Sequence, residues 1–256
     1  MDRHTLTTSE WESIEDILRH VSGIWKSDSS HLRKFIEAVI WIARTGTAWA
    51  DIPPHFGSHD AIRQRFVRWA KRGIWAEIFA AFQMRSLPHG PLFIDATICK
   101  VHRSATGVRG GADAAIGRSR GGLTTKIHAS VDEDGQAVKL VLTPGEAADC
   151  RQFSTLINGE TVSAVVADRA YDTNEIRTIM EERDITVCIP TKRNRKVQIP
   201  HDKTLYAKRH VVENFFLFLK DWCRVTTRRC KSITSYMGFV HLAAAFVNKR
   251  RQKLCS

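Results

Sequence analysis

The sequence predicts an α/β protein preceded by a small all-helical segment, and three observations carry that reading. Up to about residue 90 the apolar residues recur at helical spacing in short amphipathic stretches. From Leu92 onward, β-rich runs such as Leu92 to Cys99 (LFIDATIC) and Val162 to Ala167 (VSAVVA) alternate with helical ones. The dipeptide Asp134-Gly135 separates two further β-rich runs and marks a hairpin turn. The expected division is therefore a helical domain at 1–90 and an α/β domain at 91–256.

In the first segment, Trp11 to Arg19 and His31 to Arg44 read as amphipathic helices, and Gly46 with the pair Pro53 and Pro54 breaks the pattern. A third helix runs from Ser58 or His59 to Lys71 with Gly73 as its stop, and a fourth from Ile74 to Arg85. Arg63, Arg65, Arg68, Lys71 and Arg72 crowd the third helix, with Phe66, Val67 and Trp69 interleaved. A helix, turn, basic helix order suits a helix-turn-helix-like module whose basic helix enters a major groove. A helical oligomerisation bundle with a solvated basic face fits the same pattern.

Pro88, Gly90 and Pro91 form a linker to the second segment. Asp95 lies within its first apolar strand, where an unpaired acid costs several kcal/mol. His102 to Arg120 is a Gly-rich, basic loop suited to a place near phosphates, and Leu123 to Val131 and Ala137 to Leu142 form the hairpin. Cys150 to Ile157 and Thr173 to Arg183 are helices, with Asp172 as the N-cap of the second. Asp168 ends the strand Val162 to Ala167, the position at which open α/β sheets present their chemistry. Thr186 to Ile189 is a strand, Thr191 to Asp202 a basic loop, and Ser232 to Lys253 holds the last helix.

Leu205 to Trp222 reads as one helix. At ~100° per residue, Tyr206, Arg209, Glu213 and Lys220 fall within an arc of roughly 60°, beside an apolar arc of Val212, Phe215, Phe216, Leu219 and Trp222. A solvated face with an Arg209–Glu213 pair is the bland account. Asp95, Asp168 and Glu213 are three carboxylates whose convergence would require a cation, since two carboxylates ~4 Å apart repel by about 4 kcal/mol at an effective dielectric near 20. All-oxygen ligation suits Mg²⁺, with Mn²⁺ as substitute, and phosphoryl transfer on nucleic acid as the chemistry.

The formal net charge of +12 supports that partner. Residues 185–256 carry 16 Lys and Arg against Asp202, Glu213 and Asp221, while residues 1–184 are close to balanced. Such a cationic region predicts a polyanion. With Tyr206, Arg209 and Lys220, the candidates for DNA contacts are Arg63, Arg65 and Arg68 on the third helix, where they would recognise a specific end sequence, Arg118 and Arg120 in the Gly-rich loop, Lys126 in the following strand, and Arg193 and Arg195 in the basic loop.

No run of 18 apolar residues occurs and the N-terminus is polar and acidic, so a cytoplasmic protein with no membrane span is expected. The six cysteines lie apart without metal-ligand spacing and read as reduced thiols. Trp11, Trp25, Trp41, Trp49, Trp69, Trp75 and Trp222 read mostly as core, and His102 and His128 as structural or phosphate-proximal rather than as metal ligands.

The chain resembles the DDE insertion-sequence transposases, most closely the insertion-sequence-five family, over roughly Leu32 to Ala245. The residues carrying the likeness are Ile94-Asp95-Ala96-Thr97, Ile116 to His128 (IGRSRGGLTTKIH), Leu142-Thr143-Pro144-Gly145, Ala167 to Asp172 (ADRAYD), and Tyr206, Arg209, Glu213 and Lys220 at their full spacing. The resemblance implies an RNase H-like catalytic domain, a mixed sheet flanked by helices, with Asp95, Asp168 and Glu213 as a catalytic, metal-binding triad. It also implies Mg²⁺-dependent cleavage at terminal inverted repeats and strand transfer into target DNA by a homo-oligomer, a dimer on DNA. An RNase H-like nuclease that cuts without joining and a catalytically silent DNA-binding repressor are the alternatives.

Overall fold

The computed structural model describes residues 5–21, 24, 28–83, 90–106 and 115–255. Trp25, the end of the fourth helix at Arg85, Pro88 of the linker and residues 107–114 of the Gly-rich loop lie outside them. The chain forms two compact units: residues 1–82 with 101–109 and 219–246, and residues 83–100 with 110–218 and 247–256.

The first unit holds the N-terminal helices. Helix α1 (Thr8–His20) begins with a capping box, the Thr7 hydroxyl accepting from Glu10 N–H at 3.2 Å and the Glu10 carboxylate from Thr7 N–H at 3.0 Å. Helix α2 (Ser29–Thr45) buries Phe35, Ile36, Val39, Ile40 and Ile42 on one face. It stops at Gly46, whose φ of +72° disfavours any side chain; a Cβ there would also lie 2.8 Å from Cys223 Cβ. Helix α3 (His59–Lys71) follows as the sequence predicts; α4 (Ile74–Ala81) starts after Gly73 as expected but closes at Ala81, short of the expected Arg85.

The sequence reading missed a short helix, α9 (Cys223–Thr226). Most of the long last helix, α10 (Ile233–Cys255), also belongs to this unit. Phe239 stacks on Phe66 at 4.3 Å, and Phe66 meets Trp75 at 5.5 Å. Trp11, Trp69, Trp75 and Trp222 are buried, as expected of core residues, while Trp41 and Trp49 are half-buried. Two C-terminal cations are also structural. Arg228 is fully buried and donates to the carbonyls of Cys230 and Lys231, and buried Arg224 donates to the carbonyl of Thr47.

The second unit is built on a mixed sheet. Strand β1 (Leu92–Val101) pairs antiparallel with β3 (Gly122–Val131), which pairs antiparallel with β4 (Ala137–Pro144) and with β2 (Gly117–Ser119). On its other edge β1 runs parallel to β5 (Ala164–Ala167), and β5 parallel to β6 (Thr186–Cys188). The hairpin turns at Gly135, with φ of +81°. Leu92, Ile94, Val165 and Ala167 are buried on the sheet with Phe153 and Leu156 of α5 (Phe153–Ile157) and Ile176 and Met180 of α6 (Asn174–Glu182). Strand β2 lies in what the sequence suggests is irregular loop. The helix expected over Cys150–Ile157 opens as a tighter 3₁₀ turn, Asp149–Gln152.

The largest departure concerns Leu205–Trp222, which is not one helix. Helix α7 (Lys203–Ala207) ends, and α8 (His210–Lys220) begins, across a turn in which Arg209 N–H donates to Tyr206 O at 3.0 Å and Val212 N–H to Arg209 O at 3.2 Å. These bonds reach back three residues instead of four, so the 100° step fails and Tyr206 does not share a continuous stripe with Glu213. Val212, Phe215 and Phe216 of α8 are buried as the apolar arc predicts. Cys99, Cys150, Cys188, Cys223 and Cys230 form no disulfide, and among the described residues no helix is long and apolar enough to cross a membrane.

Candidate active site

The site begins with strand register. In the parallel pair of β1 and β5, Leu92 faces Val165, Phe93 faces Val166 and Ile94 faces Ala167. The next residues along the two chains are Asp95 and Asp168. Adjacent strands lie about 4.8 Å apart, so the register itself sets these acids side by side where β5 ends. Burial pushes the Asp95 carboxyl above the usual range. The Ala96 N–H and the Arg209 guanidinium oppose that shift, and the negative charge of Asp168 adds to it. One Asp95 oxygen accepts from the Ala96 N–H at 2.8 Å. Asp168 caps the 3₁₀ turn Arg169–Tyr171, accepting from Ala170 N–H at 2.8 Å.

Glu213 comes from the first turn of α8, and Arg209 from the turn before it. The Arg209 guanidinium donates through Nη1 to Asp95 Oδ2 at 3.0 Å and through Nη2 to Glu213 Oε1. Burial lowers the Arg209 pKa, but Asp95, Glu213, Tyr206 and Asp168 together raise it above the ordinary arginine value. One guanidinium thus feels all three acids. The expected convergence of three carboxylates on one another takes a different form here: among the described residues, no three His, Cys, Asp or Glu side chains stand close enough together to hold a metal ion. Asp95 and Asp168 are neighbours by register, and Glu213 joins them through Arg209. Negatively charged oxygen groups border the Arg209 guanidinium, a donor chemistry of the kind that suits a divalent ion.

The other candidates separate into inward and outward groups. Lys126 is inward, its Nζ donating to Ala147 O and Asp149 Oδ1, both at 2.7 Å. Arg195 is also committed, to Asp172 Oδ2 at 3.2 Å and Asn174 Oδ1 at 2.7 Å. Arg118, Arg120 and Arg193 are exposed. Tyr206 packs edge-on against His201 at 5.2 Å, and Lys220 ends α8, half-buried. In the first unit, Arg63 is exposed and paired with Asp60 at 3.5 Å, Arg68 is exposed, and Arg65 lies half-buried over the Phe35 ring.

Asp172 is not the expected N-cap. Thr173 takes that role, its hydroxyl accepting from Ile176 N–H at 3.2 Å. The Asp172 side chain is instead fully buried and accepts from Arg177 Nε at 2.8 Å, Lys192 N–H at 2.8 Å and Arg195 Nε. Burial acts to raise its pKa, and these donors outweigh it and hold the carboxyl below the usual range.

His128 is fully buried in the sheet. Its Nε2 lies 2.8 Å from Thr143 Oγ1, and burial pushes its pKa down to about 4. His102 is half-buried and caps a short turn, its Nδ1 accepting from Ser104 N–H.

Tyr171 was not singled out in the sequence. Its phenol is buried with no partner for the hydroxyl among the described residues, and burial, then Asp149, Asp95 and Asp168, push its pKa up. An aromatic residue three positions beyond a strand-end acid was the signal available.

Residues 6–79 match the model described as "Putative transposase of IS4/5 family", and residues 87–248 match the "Transposase DDE domain". The chain is 40% identical over 127 residues to the "Putative transposase for insertion sequence element IS6501" of Brucella ovis, covering 49% of this chain and 98% of that one. It is 33% identical over 100 residues to the "Transposase for insertion sequence element IS1106" of Neisseria meningitidis serogroup B, covering 37% of this chain and 35% of that one. The piggyBac transposase, in its synaptic complex with hairpin DNA, aligns with a TM-score of 0.56 over 93% of this chain and 70% of that one; at 10% identity the likeness speaks to fold alone. The sheet, the helical N-terminal region and both family matches agree: this chain belongs to the DDE transposases of the IS4/5 type.

Proposed function

We propose that the chain cleaves DNA at transposon terminal inverted repeats and transfers the freed strand into target DNA, with Asp95, Asp168 and Glu213 as its catalytic acids. The observation that carries this reading is the Arg209 guanidinium bonded to both Asp95 and Glu213, beside the strand register that sets Asp168 next to Asp95. In this reading they hold Mg²⁺, for which Mn²⁺ can substitute, and the bound ion would supply activation of the attacking hydroxyl and charge neutralisation at the phosphate.

The protein's own groups do the rest. Asp95 and Asp168 are set by strand register, so their spacing costs no reorganisation. Arg209 brings a planar two-pronged donor suited to a phosphate as well as to a carboxylate. Tyr206 and Lys220 complete the grip on the scissile strand, and exposed Arg118, Arg120 and Arg193 extend it outward. Residues 1–90 serve end recognition and residues 91–256 catalysis, in a protein that acts as a dimer on DNA.

Glu213→Gln tests the assignment, because it keeps the side-chain size and removes only the charge. Incubated with Mg²⁺ and a duplex carrying the sequence that flanks its own gene, the variant should lose cleavage and joining by orders of magnitude while still binding that DNA. Cleavage at the wild-type rate would remove Glu213 from the catalytic set.

A further inference from the structure

A groove of about 410 Å³ opens between α2 and α3 in the first unit, lined among others by Lys34, Phe35, Phe56, Ser58, Arg65 and Arg68. No carboxylate is among the described residues that line it. His31 also lines it and is paired at 2.9 Å with Asp28, which is not among the lining residues. Arg65 and Arg68 are one turn apart and so share a face of α3, whereas Arg63 points about 200° away from Arg65 and pairs with Asp60. The Arg65 guanidinium lies 5.1 Å from the Phe35 ring centroid, a cation–π contact that fixes where its fork points. Burial and the neighbouring charge of Arg68 both lower the Arg65 pKa, the signature of cations gathered without a counter-charge. Ser58 precedes α3 but its side chain makes no capping bond, which leaves that hydroxyl for another acceptor.

We infer that this groove is a phosphodiester clamp for DNA, in which Arg65, Arg68 and Lys34 grip the sugar-phosphate backbone. The inference rests on the DNA-directed function proposed above and changes the role of the basic helix. Three arginines reading bases from one face would need a common direction, and the structure separates Arg63 from the other two. Arg65 is tied to an aromatic floor inside a groove, a placement that suits a phosphate and not the edge of a base pair. The clamp therefore gives sequence-independent grip, and contacts of that kind position a protein without specifying sequence.

The test measures affinity of the full-length protein for a random-sequence duplex as a function of salt. Each lost phosphate contact lowers the slope of log K against log salt by about 0.9, so Arg65→Gln with Arg68→Gln should lower it by about 1.8 and weaken binding by about tenfold or more. Arg63→Gln removes the same kind of charge from the same helix and should leave the slope close to wild type. Lys34→Gln alone should lower it by about 0.9 and serves if the double variant does not fold. Arg65→Lys, which keeps the charge, should restore most of the slope.

An unchanged slope in folded variants, or an equal fall with Arg63→Gln, overturns the clamp. Loss of self-association with an unchanged slope would assign the groove to an acidic protein surface and overturns it as well. If the wild-type protein binds no duplex at low salt, the DNA-directed function fails first and the clamp with it.

Discussion

Replacing Arg209 by Gln removes the guanidinium that bonds Asp95 and Glu213 and feels the charge of Asp168. Asp95 and Arg209 are each only about one-fifth exposed at the side chain, so their pairing is poorly screened, while Glu213, half exposed, adds little. Breaking such a pair by deleting one partner costs about 3–5 kcal/mol when fully buried, and the partial exposure places this case near 3. For a chain of this size that corresponds to a fall in Tm of roughly 6–12 °C.

A divalent ion should replace what Gln cannot supply. At a concentration one hundred times its Kd it returns about 2.7 kcal/mol, nearly the whole loss. Thermal unfolding in chelator and then in Mg²⁺ reads both effects. The variant should melt well below wild type in chelator and rise more than wild type on adding Mg²⁺, because Arg209 no longer competes for the carboxylates. A variant that melts like wild type in chelator, or that gains no more from Mg²⁺ than wild type does, would refute the reasoning.

Two further outcomes follow from titrating groups with shifted pKa values, and one of them is independent of the site. His241 stacks on Phe79 at 5.4 Å, and burial pushes its pKa down to about 4. The unfolded chain therefore takes up that proton first as pH falls, so stability is complete above about 6.5 and is lost progressively down to about 4, by up to about 3 kcal/mol. His241→Phe should flatten that part of a stability-against-pH curve, measured by denaturant unfolding between pH 7 and 4. Asp172→Ala leaves Arg177, Arg195 and the Lys192 N–H without their buried acceptor and should cost about 3–5 kcal/mol. Hydrogen exchange at 191–200 should rise in that variant, and unchanged protection there would show that Asp172 does not hold the basic loop.

Much of this architecture was legible in the residues. Helix and strand periodicity located α1, α2, α3 and the β3–β4 hairpin within a few residues, because each has one apolar face and a clear stop signal. Asp95 and Asp168 stood out because an acid among buried apolar neighbours has to be paid for by a partner. Their adjacency was not legible: it depends on the parallel register of strands about 70 residues apart, which no local pattern encodes.

The break in the helix at Lys208 and Arg209 escaped for a different reason. Side-chain spacing reports which face is apolar, but not whether a backbone bond reaches back three residues or four. Charge misled in part for the same kind of reason. Lys126, Arg195, Arg224 and Arg228 count toward a basic surface in the sequence, yet each is turned inward onto carbonyls or carboxylates. Whether a cation meets solvent or a buried acceptor is settled by packing.

A crystal structure of the full-length chain bound to a DNA end in Ca²⁺, which takes oxygen ligands and slows chemistry, would test the central claim most directly. The account predicts cation density held by Asp95, Asp168 and Glu213, with Arg209 moved from the carboxylates onto a phosphate. Arg209 still bridging Asp95 and Glu213, with the cation bound elsewhere, would contradict it.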